Sequence, residues 1–516
     1  MKKILVTLLT VVITMPLWAQ QIVEEEINDE LSLLARGKDY YMHCKYDEAF
    51  ECFSQAADSG NIEASYNVAI FYLNGYSVDK DEKKAVSMLD SLTRNGFLPA
   101  YYHLGRAYEN GYGGLEKNKT TAQTCYEKAF PAIKENAENG DALSQYRLGW
   151  YYIEGKVVVK DEVKAVQWYR KASDQGCAFA QQSLGGCYYN GQGVAQSYTE
   201  AVKWTRKAAE QGLANAQYNL GCCYYNGQGV AQSYTEAVKC FRKAAEQGYA
   251  QAQNNLGVCY EKGQGVPQNY SEAVKWYRKA AEQGYADAQS SLGYRYYNGE
   301  GVLPDKEESL KWFRKAAEQG HVVAQCNLGS RYYYGDGVTL DYGEAIKWYK
   351  KAAEQDNVYA LNALGDCYYN GYGVTCDYRT AVIYYRKAAE KGDADAQQNL
   401  GECYRMGNGV TQSDTEAVKW YRKAADNNHE VAMLNLGWMY ENGRGVTKSY
   451  TQALKWYRKA ADKGNAIAQY NVGLFYYNGW GVVKSKSTAK VWFQKSADQG
   501  HEGAKEVMWE LYNIRY

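Results

Sequence analysis

A leucine, nearly always followed by glycine, returns every 36 residues along most of this chain: Leu148, Leu184, Leu220, Leu256, Leu292, Leu328, Leu364, Leu400 and Leu436, with Val472 closing the series. A period of that length is one supersecondary unit, and such units bury their apolar faces by stacking on neighbours rather than by collapsing around one centre. The copying is in places literal, since residues 187–203 and 223–239 both read CYYNGQGVAQSYTEAVK. Upstream, Leu104 lies 44 residues before Leu148 and Val68 a further 36 before that, so one unit carries an eight-residue insertion around Pro131, Ala132 and Ile133. Twelve units result, and a chain of 516 residues is then an array with no need of a single large core.

Inside a unit, the ruler leucine stands midway between an alanine four before and a tyrosine four after, as in Ala180, Leu184 and Tyr188. That spacing predicts one buried stripe on a helix. Tyrosine holds the last column from Tyr72 to Tyr476, which accounts for twelve of the 52 tyrosines as structure. Gly185, with no side chain, lets a second helix approach. The first helix should end at Asn190-Gly191, residue types that accept left-handed geometry. The GQGV that follows lacks the preceding strand and third glycine of a phosphate loop, and reads as a turn. Ser197 to Glu200, Ser233 to Glu236 and Asn269 to Glu272 have capping-box spacing or a close variant and open a second helix. That helix places Ala201, Trp204 and Ala208 on one face and Arg206, Lys207 and Glu210 on a solvated one. It stops at Gly212, Gly248 and Gly284, or at Asp356 and Asn428 where glycine is missing.

The combined pattern, A-x-x-x-L-G-x-x-Y-x-x-G-x-G-V followed by [SDN]-x-x-[ETK]-A-x-x-W-[YF]-[RK]-K-A-A, resembles the Sel1-like repeat, a relative of the tetratricopeptide repeat, from about Gly60 to Gly500. The resemblance implies an all-α fold, a right-handed α/α superhelical solenoid of antiparallel helix pairs, with adaptor or scaffold roles in protein complexes and no shared catalytic chemistry. The expected layout is a signal peptide at 1–19, a linker at 20–30, a tetratricopeptide-like first repeat at 31–59, twelve Sel1-like repeats at 60–500 with the insertion near 131–138, and a capping helix at 501–516. Gly37, Tyr40, Ala49, Phe53 and Ala56 carry the tetratricopeptide spacing. Cys52, Met88, Cys125, Cys240 and Tyr384 replace the second-helix tryptophan, and Gly113-Gly114 interrupts the third unit's turn, so the N-terminal third should stack less regularly.

Two lysines, an apolar run from Ile4 to about Trp18 and Ala19 as a cleavage site have the layout of a secretory leader. The run is short for a spanning helix, so the expectation is export to the periplasm or exterior, with no transmembrane segment in the mature chain. Removing Lys2 and Lys3 leaves 57 basic against 59 acidic residues, which argues against nucleic acid as a partner. Of thirteen cysteines, Cys187, Cys223, Cys259, Cys367 and Cys403 share one column whose repeats lie about 8 to 10 Å apart, too far for a disulfide. They read as core residues. The five histidines, His43, His103, His321, His429 and His501, form no metal-ligand cluster, no nucleophile elbow or HExxH is present, and the expectation is a non-enzyme with no cofactor.

Recognition is expected on the columns two before, two after and five after the ruler leucine, which lie opposite its buried stripe and vary between units. Five after it stand Tyr189, Tyr225, Tyr297, Tyr333, Tyr369 and Tyr477; two before it Tyr146, Tyr218 and Tyr470; two after it Trp150, Tyr294 and Trp438. Such rings either offer contact area with a polar handle or pack between units. Asn219, Asn255, Asn327 and Asn399, one before the ruler, either clasp a peptide backbone or tie adjacent helices. The leading reading is a scaffold for a protein or peptide partner on a tyrosine-rich concave face; the alternatives are a glycan or cell-wall binder and an enzyme with a dispersed site.

Overall fold

The computed structural model describes residues 32–516; the expected signal peptide and linker lie outside them. The described residues are helices joined by turns, an all-α solenoid in which, within each compact unit, consecutive helices pack on one another. Two compact units divide after Ala280.

One repeat shows how the sequence makes the pair. The first helix, Ala178–Asn190, ends on Gly191 at φ +71° and the second, Tyr198–Glu210, begins where the Ser197 hydroxyl accepts from the Glu200 amide at 3.3 Å. The capping box is half made. The Ser197 amide donates to the Tyr188 carbonyl at 2.9 Å, while the Glu200 carboxylate turns to Lys203 at 3.3 Å. Where glycine is missing after the second helix, Asp356 and Asn428 take φ +63° and +66°, the left-handed geometry expected of them.

Two of the recurring glycine positions in a unit answer different steric demands. At Gly221 a Cβ would lie 2.6 Å from the Phe241 ring on the second helix of the same unit. At Gly193, the second glycine of GQG, it would lie 2.2 Å from the Glu162 carbonyl oxygen, at the start of the preceding unit's second helix. The GxG turn is thus a stacking joint between units.

Packing refines the expected stripe. Ala180 and Leu184 are sealed and Cys187 nearly so, but the tyrosine column is half-buried. Its hydroxyls accept from arginines of the preceding second helix, as Tyr260 does from Arg242 at 2.7 Å and Tyr332 from Arg314 at 2.6 Å. On the second helix, the residue after the tryptophan is the most deeply buried ring, with Tyr277, Phe313, Tyr421 and Phe493 all inaccessible. Lys207, expected on the solvated face, lies over the Trp204 ring at 4.3 Å, and Lys315 over Trp312 at the same distance. Buried glutamines stitch repeats together: Gln181 donates to the Ser173 carbonyl of the preceding unit at 3.3 Å and accepts from Gln211 of its own at 2.7 Å.

The N-terminal third departs from this regularity. The helices 32–42 and Tyr46–Asp58 are joined by only three residues, and Tyr112–Gly114 forms a short 3-10 turn. The eight inserted residues extend a second helix to twenty residues, Lys119–Glu138, with Pro131 inside it. At the other end, the helix Glu502–Tyr512 follows the last full pair.

Candidate functional site

All thirteen cysteines are free, and those of the shared column are buried. Burial pushes the Cys367 and Cys403 thiols up to about 12, so they are inert core groups. His321, His429 and His501 are helix N-caps, each ring nitrogen accepting from the amide three residues on at 3.1 Å. Among the described residues no group of three His, Cys, Asp or Glu side chains could hold a metal, and no helix is long and apolar enough to cross a membrane.

The column five after the leucine has structural employment. Tyr189 packs edge-on to Tyr198 at 5.1 Å and donates to Gln228 at 2.9 Å; Tyr225 does the same with Tyr234 and with Gln264 at 2.7 Å. In each case the acceptor belongs to the GQG turn of the following unit. Tyr369 packs on Tyr378 and accepts from Asn408 at 2.8 Å, and Arg331 lies over Tyr297 at 3.4 Å. These rings remain half-buried, as does Tyr477.

Two before the leucine, Tyr146 packs on Phe179 at 6.0 Å, Tyr218 on Tyr249 at 5.3 Å, and Tyr470 stacks on His501 at 4.7 Å. Two after it, Trp150 meets Tyr102 edge-on at 5.2 Å, whereas Tyr294 and Trp438 are exposed. Asn219, Asn255 and Asn327 are half-buried, and Asn399 donates to Asn362 of the preceding unit at 3.3 Å, tying adjacent helices.

Two of the sequence-selected residues converge with partners in the second unit. Tyr333 and Asn399 line a cavity of about 410 Å³ together with Tyr334, Tyr359, Asn362 and Asp366. Tyr334 is 68% exposed and Tyr359 47%. Asp366 also borders an adjoining cavity of about 180 Å³ with Tyr369 and Asn399, and accepts from the Tyr385 hydroxyl at 2.7 Å. Burial raises the Asp366 carboxyl above its ordinary range, and the negative charges of Asp395 and Asp393 push it further. Tyr334, Tyr359 and Asp366 were not among the sequence-selected residues. Their signal was a local break in the pattern, for Tyr334 replaces the helix-ending asparagine and Asp366 occupies the variable column two after the ruler.

The Sel1 repeat family model matches thirteen segments, from 45–61 through 62–96, 98–130 and 142–177 to 466–501, most of the chain. The chain belongs to the Sel1-repeat family. Among solved structures, it is 33% identical to c5321, a protective antigen of uropathogenic Escherichia coli strains displaying an SLR fold, with a TM-score of 0.62 over 90% of this chain and 97% of that one. Among curated relatives, it is 32% identical over 116 residues to the ERAD-associated E3 ubiquitin-protein ligase component HRD3B of Arabidopsis thaliana, 22% of this chain and 17% of the relative. It is 30% identical over 129 residues to protein sel-1 homolog 2 of Homo sapiens, 25% of this chain and 17% of the relative. The matched stretch thus spans about a sixth of the length of these Sel1-repeat relatives.

Proposed function

We propose that this Sel1-repeat chain is an exported scaffold that holds a protein partner, as an extended peptide segment, on the tyrosine-rich face of its first helices. Sel1-repeat proteins generally act as protein-interaction scaffolds, and their repeat fold is typically non-enzymatic. The plant relative is by its name a component of a ligase. The observation that carries the reading is the 410 Å³ cavity where rings, amides and a carboxylate converge while Tyr334 and Tyr359 stay open to solvent. Rings of this kind give large contact area at low entropy cost, and the amides can pair with an extended backbone. The leader-like residues 1–19 argue for export.

The test is affinity capture of the full chain's partner, followed by binding to the Tyr334→Ala, Tyr359→Ala double variant. Loss of the captured protein with helicity intact supports the assignment; undiminished binding removes it. The same lining favours one second reading, a glycan, because aromatic faces beside amides also suit a sugar ring. Retention of the chain on cell-wall fragments, abolished by the same substitutions, would move the assignment there. Export is checked by sequencing the N-terminus of the protein recovered from its host, which should begin after Ala19.

A further inference from the structure

A second cavity, of about 130 Å³, lies in the first unit and is lined by two arginines. It is walled by residues from five successive helix pairs, among them Tyr41, Tyr102, Leu143 and Phe179, with Arg106 and Arg147 facing it. Arg147 is only 8% exposed. Among the described residues neither guanidinium has a hydrogen-bond or ion-pair partner; Arg147 has only the faces of Tyr66 and Tyr102 at 5.4 and 5.9 Å. The carboxylates whose fields reach them, Asp141 for Arg147 and Glu109 for Arg106, bond to other groups. Asp141 accepts from the Ser144 amide at 2.8 Å and from Lys38 at 3.4 Å, and Glu109 is held by Lys156 at 2.7 Å and Tyr126 at 2.6 Å.

A buried guanidinium that donates no hydrogen bond is costly, and a protein keeps one where a ligand supplies the acceptor. We propose that this cavity is a binding site for a carboxylate on a short aliphatic stem, with Arg106 and Arg147 meeting the oxygens and the rings of Tyr41, Tyr102 and Phe179 receiving the methylenes. The planar guanidinium matches a carboxylate with two parallel bonds. Leu73, Leu143 and the Phe179 ring in an otherwise polar lining give a stem something to pack on, which inorganic phosphate lacks. The neighbouring His103 is consistent with such a site: burial, then the fields of Arg147 and Arg106, hold its imidazole well below the ordinary range, so it stays neutral and adds no competing charge. Its Nδ1 is bonded to the Tyr66 hydroxyl at 2.7 Å.

Such a carboxylate comes from an acidic side chain of a partner or from a free small acid, and the first source rests on the scaffold reading above. Titration calorimetry of the full chain at low ionic strength uses three probes: glutarate, inorganic phosphate, and an acetylated, amidated peptide with one glutamate among glycines, compared with its glutamine counterpart. Glutarate should bind in preference to phosphate. Binding of the glutamate peptide and not the glutamine one assigns the source to a protein; glutarate alone keeps the site and assigns it to a free acid. Arg106→Gln and Arg147→Met should each weaken glutarate binding roughly tenfold to a hundredfold, and the His103 ring, followed by NMR, should titrate at higher pH with glutarate bound. Preference for phosphate, no saturable binding of glutarate, or binding that ignores Arg106→Gln would each overturn the proposal. If Arg147→Met fails to fold, Arg106→Gln, whose side chain is half-buried and unbonded, decides. Failure here with the captured partner still dependent on Tyr334 and Tyr359 removes this site and leaves the scaffold reading standing.

Discussion

The ring of Tyr41 lies 5.1 Å from the ring of Phe179, although almost four repeat lengths of chain separate them. The helix 32–42 therefore closes across the following repeats of the first unit. Lys38 extends the closure by bridging Glu63 and Asp141, and the His43 ring fills the space beneath Gly176. Tyr41→Ala should cost about 3 kcal/mol or more, the usual range for emptying a buried aromatic site. Its signature is where the damage appears: amides of residues 172–180 should lose hydrogen-exchange protection along with those of 32–42. Protection unchanged at 172–180 would show that the closure carries no energy.

Two glycines seven residues apart should respond to alanine in opposite directions. A Cβ on Gly186 meets nothing within 4 Å, and the residue sits inside the helix Ala178–Asn190, so Gly186→Ala should stabilise by about 0.5 to 1 kcal/mol. Gly193 has φ +68° and its Cβ would strike the Glu162 carbonyl, so Gly193→Ala should destabilise the joint by more than that. Thermal melts of the two variants check the pair, and equal effects would mean that the GxG turn is not a stacking joint.

The raised carboxyl of Asp366 makes a pH-dependent prediction. The folded state binds this proton more tightly than the unfolded state, so the group's contribution is most favourable in acid and is lost as pH rises through its folded pKa. Asp366→Asn, which keeps an acceptor for the Tyr385 hydroxyl, should raise the melting temperature at pH 7. The gain should shrink as pH falls toward about 4, where the unfolded carboxyl also takes up its proton. A difference independent of pH would sink the assignment of the shift to this residue's burial.

Tyr189→Phe and Tyr225→Phe separate the structural share of the tyrosine column from any binding share. Each removes one hydroxyl bond to the next unit's turn, so each should cost about 1 kcal/mol while leaving the ring packed on Tyr198 or Tyr234. Denaturation with urea measures this directly. No loss would mean that the half-buried rings hold the stack by packing alone.

What periodicity encodes was readable in advance, and what long-range geometry creates was not. Gly191, Ser197, Asp356 and Asn428 do what their local chemistry dictates, because turns and caps depend on a few adjacent residues. The pattern points to the tryptophan column as the core and the ring after it is buried deeper, since adjacent positions on a helix differ by 100° and both can face a curved neighbour. The meeting of Tyr41 with Phe179 depends on twist summed over several repeats, which no single unit states. Arg106 and Arg147 carry a usable signal: Arg106 stands two after the ruler, in a column that varies between units, and Arg147 replaces the asparagine common one before it.

The modular joint gives a final test through deletion. Removing residues 189–224, one whole period, brings Tyr188 directly to Tyr225, an equivalent of the residue it replaces. Gly229 then takes the place of Gly193 against Glu162, and Gln247, which donates to Gln217 in the parent, meets the retained Gln181 in place of Gln211. The shortened chain should keep its helicity per residue and unfold cooperatively. Removing eighteen residues from the same place instead joins a first helix to the middle of a second, leaving Gly193's joint without a glycine and the following unit out of register. Circular dichroism of both deletions distinguishes the cases: comparable loss of helicity in the two would mean that the units are not interchangeable, and that stability resides in long-range closure rather than in nearest-neighbour stacking.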